Sequence, residues 1–133
     1  MPFGYDWTCD NCNYTIRTSG LWEFYRDRLG LRHRYGHPTP KSDEAKRAGV
    51  KGFTGVLYCT KCRQLREIVV YEFDQPQNGS MGACMSFSNP KIPHKEYKPV
   101  CDICGNHLKD RIGNICCPKC GKGKFKESGR FMS

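Results

Sequence analysis

The chain has 133 residues, with 38% hydrophobic and 26% charged positions and a formal net charge of +9. This balance excludes a low-complexity chain, and no apolar run approaches the roughly 18–20 residues that span a bilayer as a helix, so no membrane partner is expected. The first residues show neither the basic start nor the apolar stretch of a secretory signal, and the cytoplasm is the expected compartment.

Taken along the chain, strand signals come first. Trp7 leads into Cys9-x-x-Cys12, and the β-branched run Tyr14-Thr15-Ile16-Arg17-Thr18 leads out of it. Residues 21–26 form a further strand candidate, with Trp22 and Phe24 on one face. Residues 26–40 are rich in glycine, proline and basic groups (Arg26, Arg28, Arg32, His33, Arg34, His37), which predicts an exposed loop. One short helix is expected over residues 43–48, capped by Ser42 and stopped by Gly49. Strands are predicted over 53–58 and 65–73. The apolar run Ile68-Val69-Val70-Tyr71 calls for cover on both sides of the second.

Residues 74–99 carry Asn89-Pro90, Ile92-Pro93 and Lys98-Pro99 and read as an irregular linker draped over a surface, with a less polar stretch at 79–87. Beyond it, residues 108–112 and 114–116 suggest a hairpin about Gly113, and 124–127 a last strand. The expected organisation is an N-terminal module over 1–73, a linker over 74–99 and a C-terminal module over 100–133. The expected fold class is a small β-rich, metal-stabilised protein: two zinc ribbons joined by the proline-containing linker, with at most one short helix.

Cysteine spacing carries the chemistry. Of ten cysteines, eight fall into four C-x-x-C pairs: Cys9/Cys12, Cys59/Cys62, Cys101/Cys104 and Cys117/Cys120. In a reducing compartment, thiolates at this spacing point to metal ligation rather than disulfides. Each pair is a hook that aims two sulfurs at one ion, and two hooks complete a tetrahedron. Pairing them in chain order predicts one zinc site from Cys9, Cys12, Cys59 and Cys62, and a second from Cys101, Cys104, Cys117 and Cys120. Cys116 competes with Cys117, but the spacing to Cys120 favours Cys117; Cys116 and Cys84 are expected to be non-ligand thiols. A zinc ion with four thiolates carries −2, so two such sites take the balance from +9 to +5.

The segment Cys101-Asp-Ile-Cys104-Gly followed by Cys117-Pro-Lys-Cys120-Gly, with twelve residues between Cys104 and Cys117, resembles the zinc-ribbon family. The first pair of hooks departs from the common ribbon in having 46 residues between them, a length that loop-closure entropy tolerates. As a whole the chain looks like the small bacterial proteins with two zinc ribbons. The Cys117-Pro-Lys-Cys120-Gly knuckle also resembles rubredoxin, which implies iron in one site and electron transfer as a less favoured alternative.

A four-thiolate zinc has no open coordination position, so the ions are expected to be structural and the chain not an enzyme. No serine–histidine–acid set, phosphate loop or metalloprotease signature is present, and no small-molecule substrate is expected. Lys119, Lys122, Lys124, Lys126 and Arg130 form the candidate nucleic-acid contact, with Phe125 and Phe131 as candidates to stack on unpaired bases. Trp7, Trp22, Phe24 and Tyr58 read as core. The expected function is a non-enzymatic zinc module contacting nucleic acid or a ribosome- or polymerase-like machine. A protein–protein adaptor or accessory subunit is the alternative.

Overall fold

The β-branched and aromatic runs on either side of the first two hooks form hairpins whose tight turns are the hooks themselves. In the computed structural model, which describes residues 3–36 and 39–132, β1 (Phe3–Cys9) and β2 (Thr15–Arg26) flank the first hook. The second hook lies between β4 (Val50–Cys59) and β5 (Gln64–Gln77). The remaining elements are β3 (Arg32–Arg34), α1 (Asp43–Ala48), α2 (Gly79–Phe87), β6 (His94–Glu96) and β7 (Phe125–Met132). All strands join one antiparallel sheet in the order β6-β5-β4-β2-β1-β7, with β3 folded back on β2. Because β1 and β4 run in the same direction, both hairpin hooks lie at the same end of the sheet.

The helix at 43–48 forms as predicted. Ser42 Oγ accepts from the Ala45 N–H at 3.2 Å, and Gly49 ends the helix at φ +76°. Three expectations are corrected. Residues 74–99 are not wholly irregular: they hold a second helix, α2, and the short strand β6 on the edge of β5. Glycines inside α2 lower its helix propensity. It is held by packing instead, with Ala83 fully buried and Phe87 stacked edge-on against Phe53 and Tyr71, 5.2 and 4.8 Å between centroids. The loop at 26–40 is tied down by β3 and by Tyr35, which is 2% exposed; His37 lies outside the described residues. The hairpin about Gly113 does not form, and single bridges Tyr58–Lys109 and Cys116–Lys124 take its place.

The core has two main parts. Tyr25, Tyr35, Val50, Phe53, Tyr71 and Phe73 cluster with Ala45 of α1 and Ala83 of α2. Near the hooks, Trp7, Tyr58, Ile112 and Phe125 form a second cluster, and Leu108 packs beside Cys59 and Cys101 in a third. Residues 105–116 therefore act as a strap across the hook end of the sheet, anchored by Leu108 and Ile112. Lys109 bonds the Tyr58 backbone in both directions at 2.9 Å, and Thr18 Oγ1 donates to the Asp110 carbonyl. No described helix is long and apolar enough to cross a membrane.

Candidate metal centres

All four C-x-x-C hooks adopt one turn. The N–H of the residue after the second cysteine donates to the carbonyl of the first: Asn13 to Cys9 (3.2 Å), Arg63 to Cys59 (2.8 Å), Gly105 to Cys101 (2.9 Å) and Gly121 to Cys117 (3.0 Å). Those four residues share a left-handed backbone, with φ of 62°, 59°, 74° and 70°. Glycine takes this conformation freely; Asn13 and Arg63 hold it at some cost. Inside the first two turns backbone N–H groups aim at sulfur, from Cys12 to Cys9 Sγ (3.4 Å) and from Cys62 to Cys59 Sγ (3.3 Å), and just beyond the last hook the Gly123 N–H donates to Cys120 Sγ (3.4 Å).

The hooks do not pair in chain order. One quartet is Cys9, Cys12, Cys117 and Cys120, the other Cys59, Cys62, Cys101 and Cys104. This corrects the sequential pairing, and the cause lies in the sheet. β7 pairs with β1 so that Cys9 lies opposite Phe125, which brings the last hook beside the first. The Asp10 N–H donates to the Lys124 carbonyl (3.1 Å), and Lys124 N–H returns a bond to Asp10 Oδ1 (2.9 Å). The third hook, at the other end of the strap, meets the β4–β5 turn, where Asn106 Nδ2 donates to Thr60 Oγ1 at 3.1 Å. The strap thus carries one knuckle at each end and clamps two separate hairpins.

The quartets have the dimensions a metal ion requires. Sulfur–sulfur separations are 3.6 Å (Cys9–Cys120) and 3.7 Å (Cys12–Cys117) in the first, 3.5 Å (Cys59–Cys104) and 3.9 Å (Cys62–Cys101) in the second. Zinc–sulfur bonds of about 2.3 Å in a tetrahedron place the sulfurs about 3.8 Å apart, whereas a disulfide requires about 2.05 Å. All eight cysteines are free thiols, and each quartet could hold a metal ion.

Electrostatics of the bare thiols favour a cation at each quartet. Backbone N–H groups of Cys104 and Ile103 lower Cys101 to about 6, and those of Gly123 and Lys122 lower Cys120 to about 6. Their neighbours then resist ionisation. Cys62 is pushed up to about 12, chiefly by Cys104. For Cys12 the Tyr14 backbone acts downward, but desolvation and the Cys9, Cys120 and Cys117 sulfurs carry it up to about 12. A divalent ion removes this conflict by neutralising four thiolates together. Arg66 adds positive charge beside the second quartet, its own pKa raised first by the Cys101 sulfur.

Other predicted residues fall as follows. Cys116 lies outside the quartet and turns its Sγ toward the Gly121 carbonyl at 3.3 Å; Cys84 sits in α2. Lys119, Lys122, Lys124, Lys126 and Arg130 are all exposed. Lys119 Nζ lies 5.5 Å from the Tyr14 ring centre, Lys126 Nζ donates to Asn114 Oδ1 (2.6 Å), and Arg130 pairs with Glu127 (2.6 Å). Phe125 is fully buried between Tyr14 and Tyr58 and offers no face to a base, which corrects that expectation. Trp7, Phe24 and Tyr58 are core, whereas Trp22 is only half-buried.

Sequence reasoning missed Gly123. A Cβ there would collide with Cys9 Sγ and lie 2.6 Å from Asn11 Cβ, so only glycine lets the two hooks of the first quartet approach. The one signal was a glycine three residues after Cys120. No family model, curated protein or solved structure matches the chain.

Proposed function

We propose that the two quartets hold zinc, that both ions are structural and ribbon-like in their knuckle geometry, and that the protein is a non-enzymatic module contacting nucleic acid or a nucleic-acid-containing machine. Four congruent knuckles with sulfur separations of 3.5–3.9 Å support the metal assignment. Four sulfurs per ion leave no position for water or substrate, which favours a structural role. The nucleic-acid reading draws on the basic balance and on exposed Lys119, Lys122 and Lys124 around the first quartet.

Metal analysis of the purified chain tests the first claim: two zinc ions and a colourless protein are expected, and a coloured protein with iron in a quartet would favour the rubredoxin-like alternative. For the second, affinity for nucleic acid should fall steeply with salt, and Lys122→Glu/Lys124→Glu should weaken it at every sequence tested. A protein–protein role is favoured by one observation: Met81 and Met85, one helical turn apart on α2, are 80% and 71% exposed. A complex that survives nuclease and high salt would select that reading.

A further inference from the structure

Four side chains from three strands contact one another in series on the sheet. Arg17 of β2 lies over the Phe131 ring of β7, 4.3 Å from its centre. That ring tilts 36° to the Trp22 indole, with centroids 6.4 Å apart. Arg34 of β3 lies over the indole, 4.9 Å from its centre. The order Arg–Phe–Trp–Arg is built by several devices. Gly4 lies under Phe131, where a Cβ would collide with the ring. A register shift between Ser19 and Trp22, with Leu21 at φ +59°, brings two residues three apart to the same face. Trp22 Nε1 then donates to Ser19 Oγ at 2.6 Å and pins the indole. Asp6 holds Arg17 by two hydrogen bonds of 2.7 and 3.2 Å, and Glu67 holds Arg34 at 3.3 Å.

Both rings are half-buried rather than sealed in the core, and the two arginine side chains are 58% and 46% exposed. A cluster formed only for packing would bury its rings. Here each planar group is fixed by neighbours and still keeps part of its surface in solvent. The carboxylates of Asp6 and Glu67 offset the arginine charge, so this face is poorly suited to the dense phosphates of a duplex. Unpaired bases have neutral π-faces that stack on aromatic rings and on guanidinium planes. Lys126 lies on the same strand as Phe131, five residues away, or about 17 Å at ~3.3 Å per residue. The charge that tracks a backbone and the surface that stacks bases are thus spatially divided.

We propose that Trp22 and Phe131, flanked by Arg17 and Arg34, form a stacking platform for the unpaired bases of single-stranded nucleic acid. This rests on the nucleic-acid reading above and names the strand state and the surface. The test uses the full zinc-loaded chain with labelled 12-nucleotide oligothymidylate and oligouridylate, and a duplex of equal length. Single strands should bind more tightly than the duplex. Trp22→Ala and Phe131→Ala should each weaken single-strand binding about 5- to 150-fold, the range for one base–aromatic stack, with two metals still bound. Trp22→Phe should keep most of the affinity. Trp7 is buried, so quenching of tryptophan emission by unlabelled oligothymidylate should report Trp22 and vanish in Trp22→Phe. Should either alanine variant fail to fold, that quench in the unmodified chain decides, and a complex without it overturns the platform. Alanine variants that bind like the parent, while Lys122→Glu/Lys124→Glu does not, overturn the platform and leave the nucleic-acid reading standing. Absence of binding to every probe overturns both.

Discussion

Double cysteine substitutions separate interleaved from sequential hooks. In Cys12→Ser/Cys117→Ser both changes fall in one quartet, where the two sulfurs lie 3.7 Å apart. The other quartet keeps four thiolates, so one four-sulfur site should remain. In Cys12→Ser/Cys62→Ser each quartet loses a sulfur and none should remain. Sequential pairing predicts the reverse for this second pair. The energetic scale follows from the loops that an ion in each quartet would close. Cys12 and Cys117 are 105 residues apart, and the chain-entropy estimate for a cross-link of that span is about 4.7 kcal/mol; for Cys62 and Cys101, 39 apart, it is about 3.9 kcal/mol. Either is a large share of the roughly 5–15 kcal/mol that holds a domain folded. Two substitutions in one quartet should cost little more than one, whereas substitutions in different quartets should add. Metal content, the thiolate-to-cobalt absorption after cobalt exchange, and urea unfolding measure all three. An intact four-sulfur site in Cys12→Ser/Cys62→Ser would refute the interleaved arrangement.

Gly123→Ala should weaken metal at the first quartet about 10–100-fold, the usual effect of disturbing a site's immediate support, and leave the second unchanged; equal loss at both would sink the local explanation. Arg63→Gly relieves a left-handed non-glycine residue and should raise the urea midpoint by the equivalent of about 1 kcal/mol, while a fall would show that the Arg63 side chain matters more than its backbone. Glu72 has its pKa lowered, first by the hydrogen bond from Arg26, then against desolvation. Its stabilisation is therefore complete above the ordinary carboxylate range and disappears as pH falls through the lower folded value. Glu72→Gln should cost about 1 kcal/mol at pH 7, discounted because Arg26 is one-third exposed, and the gap to the parent should close toward acid. A gap that widens toward acid contradicts the assignment.

Local spacing was enough to single out eight sulfurs as candidate ligands, because a C-x-x-C hook is complete within four residues and needs no partner to be recognised. The same holds for α1, whose Ser42 cap and Gly49 stop are adjacent in the chain, and for the strands beside the first two hooks. Helix α2 was hidden because its glycines argue against it, and only Phe53 and Tyr71 packing on Phe87 outweighs them. The Arg–Phe–Trp–Arg series on the sheet was hidden too: placing Trp22 beside Phe131 depends on a register shift that no pattern of residues announces. Which hooks share an ion is the largest decision left to tertiary structure. Any two hooks present the same chemistry, so the choice falls to strand pairing, and the alignment of β7 on β1 carries the last hook to the first. Amino-acid order alone thus determined that sulfurs would gather in fours; long-range hydrogen bonding across the sheet decided which four, because ligand identity is local and ligand proximity is not.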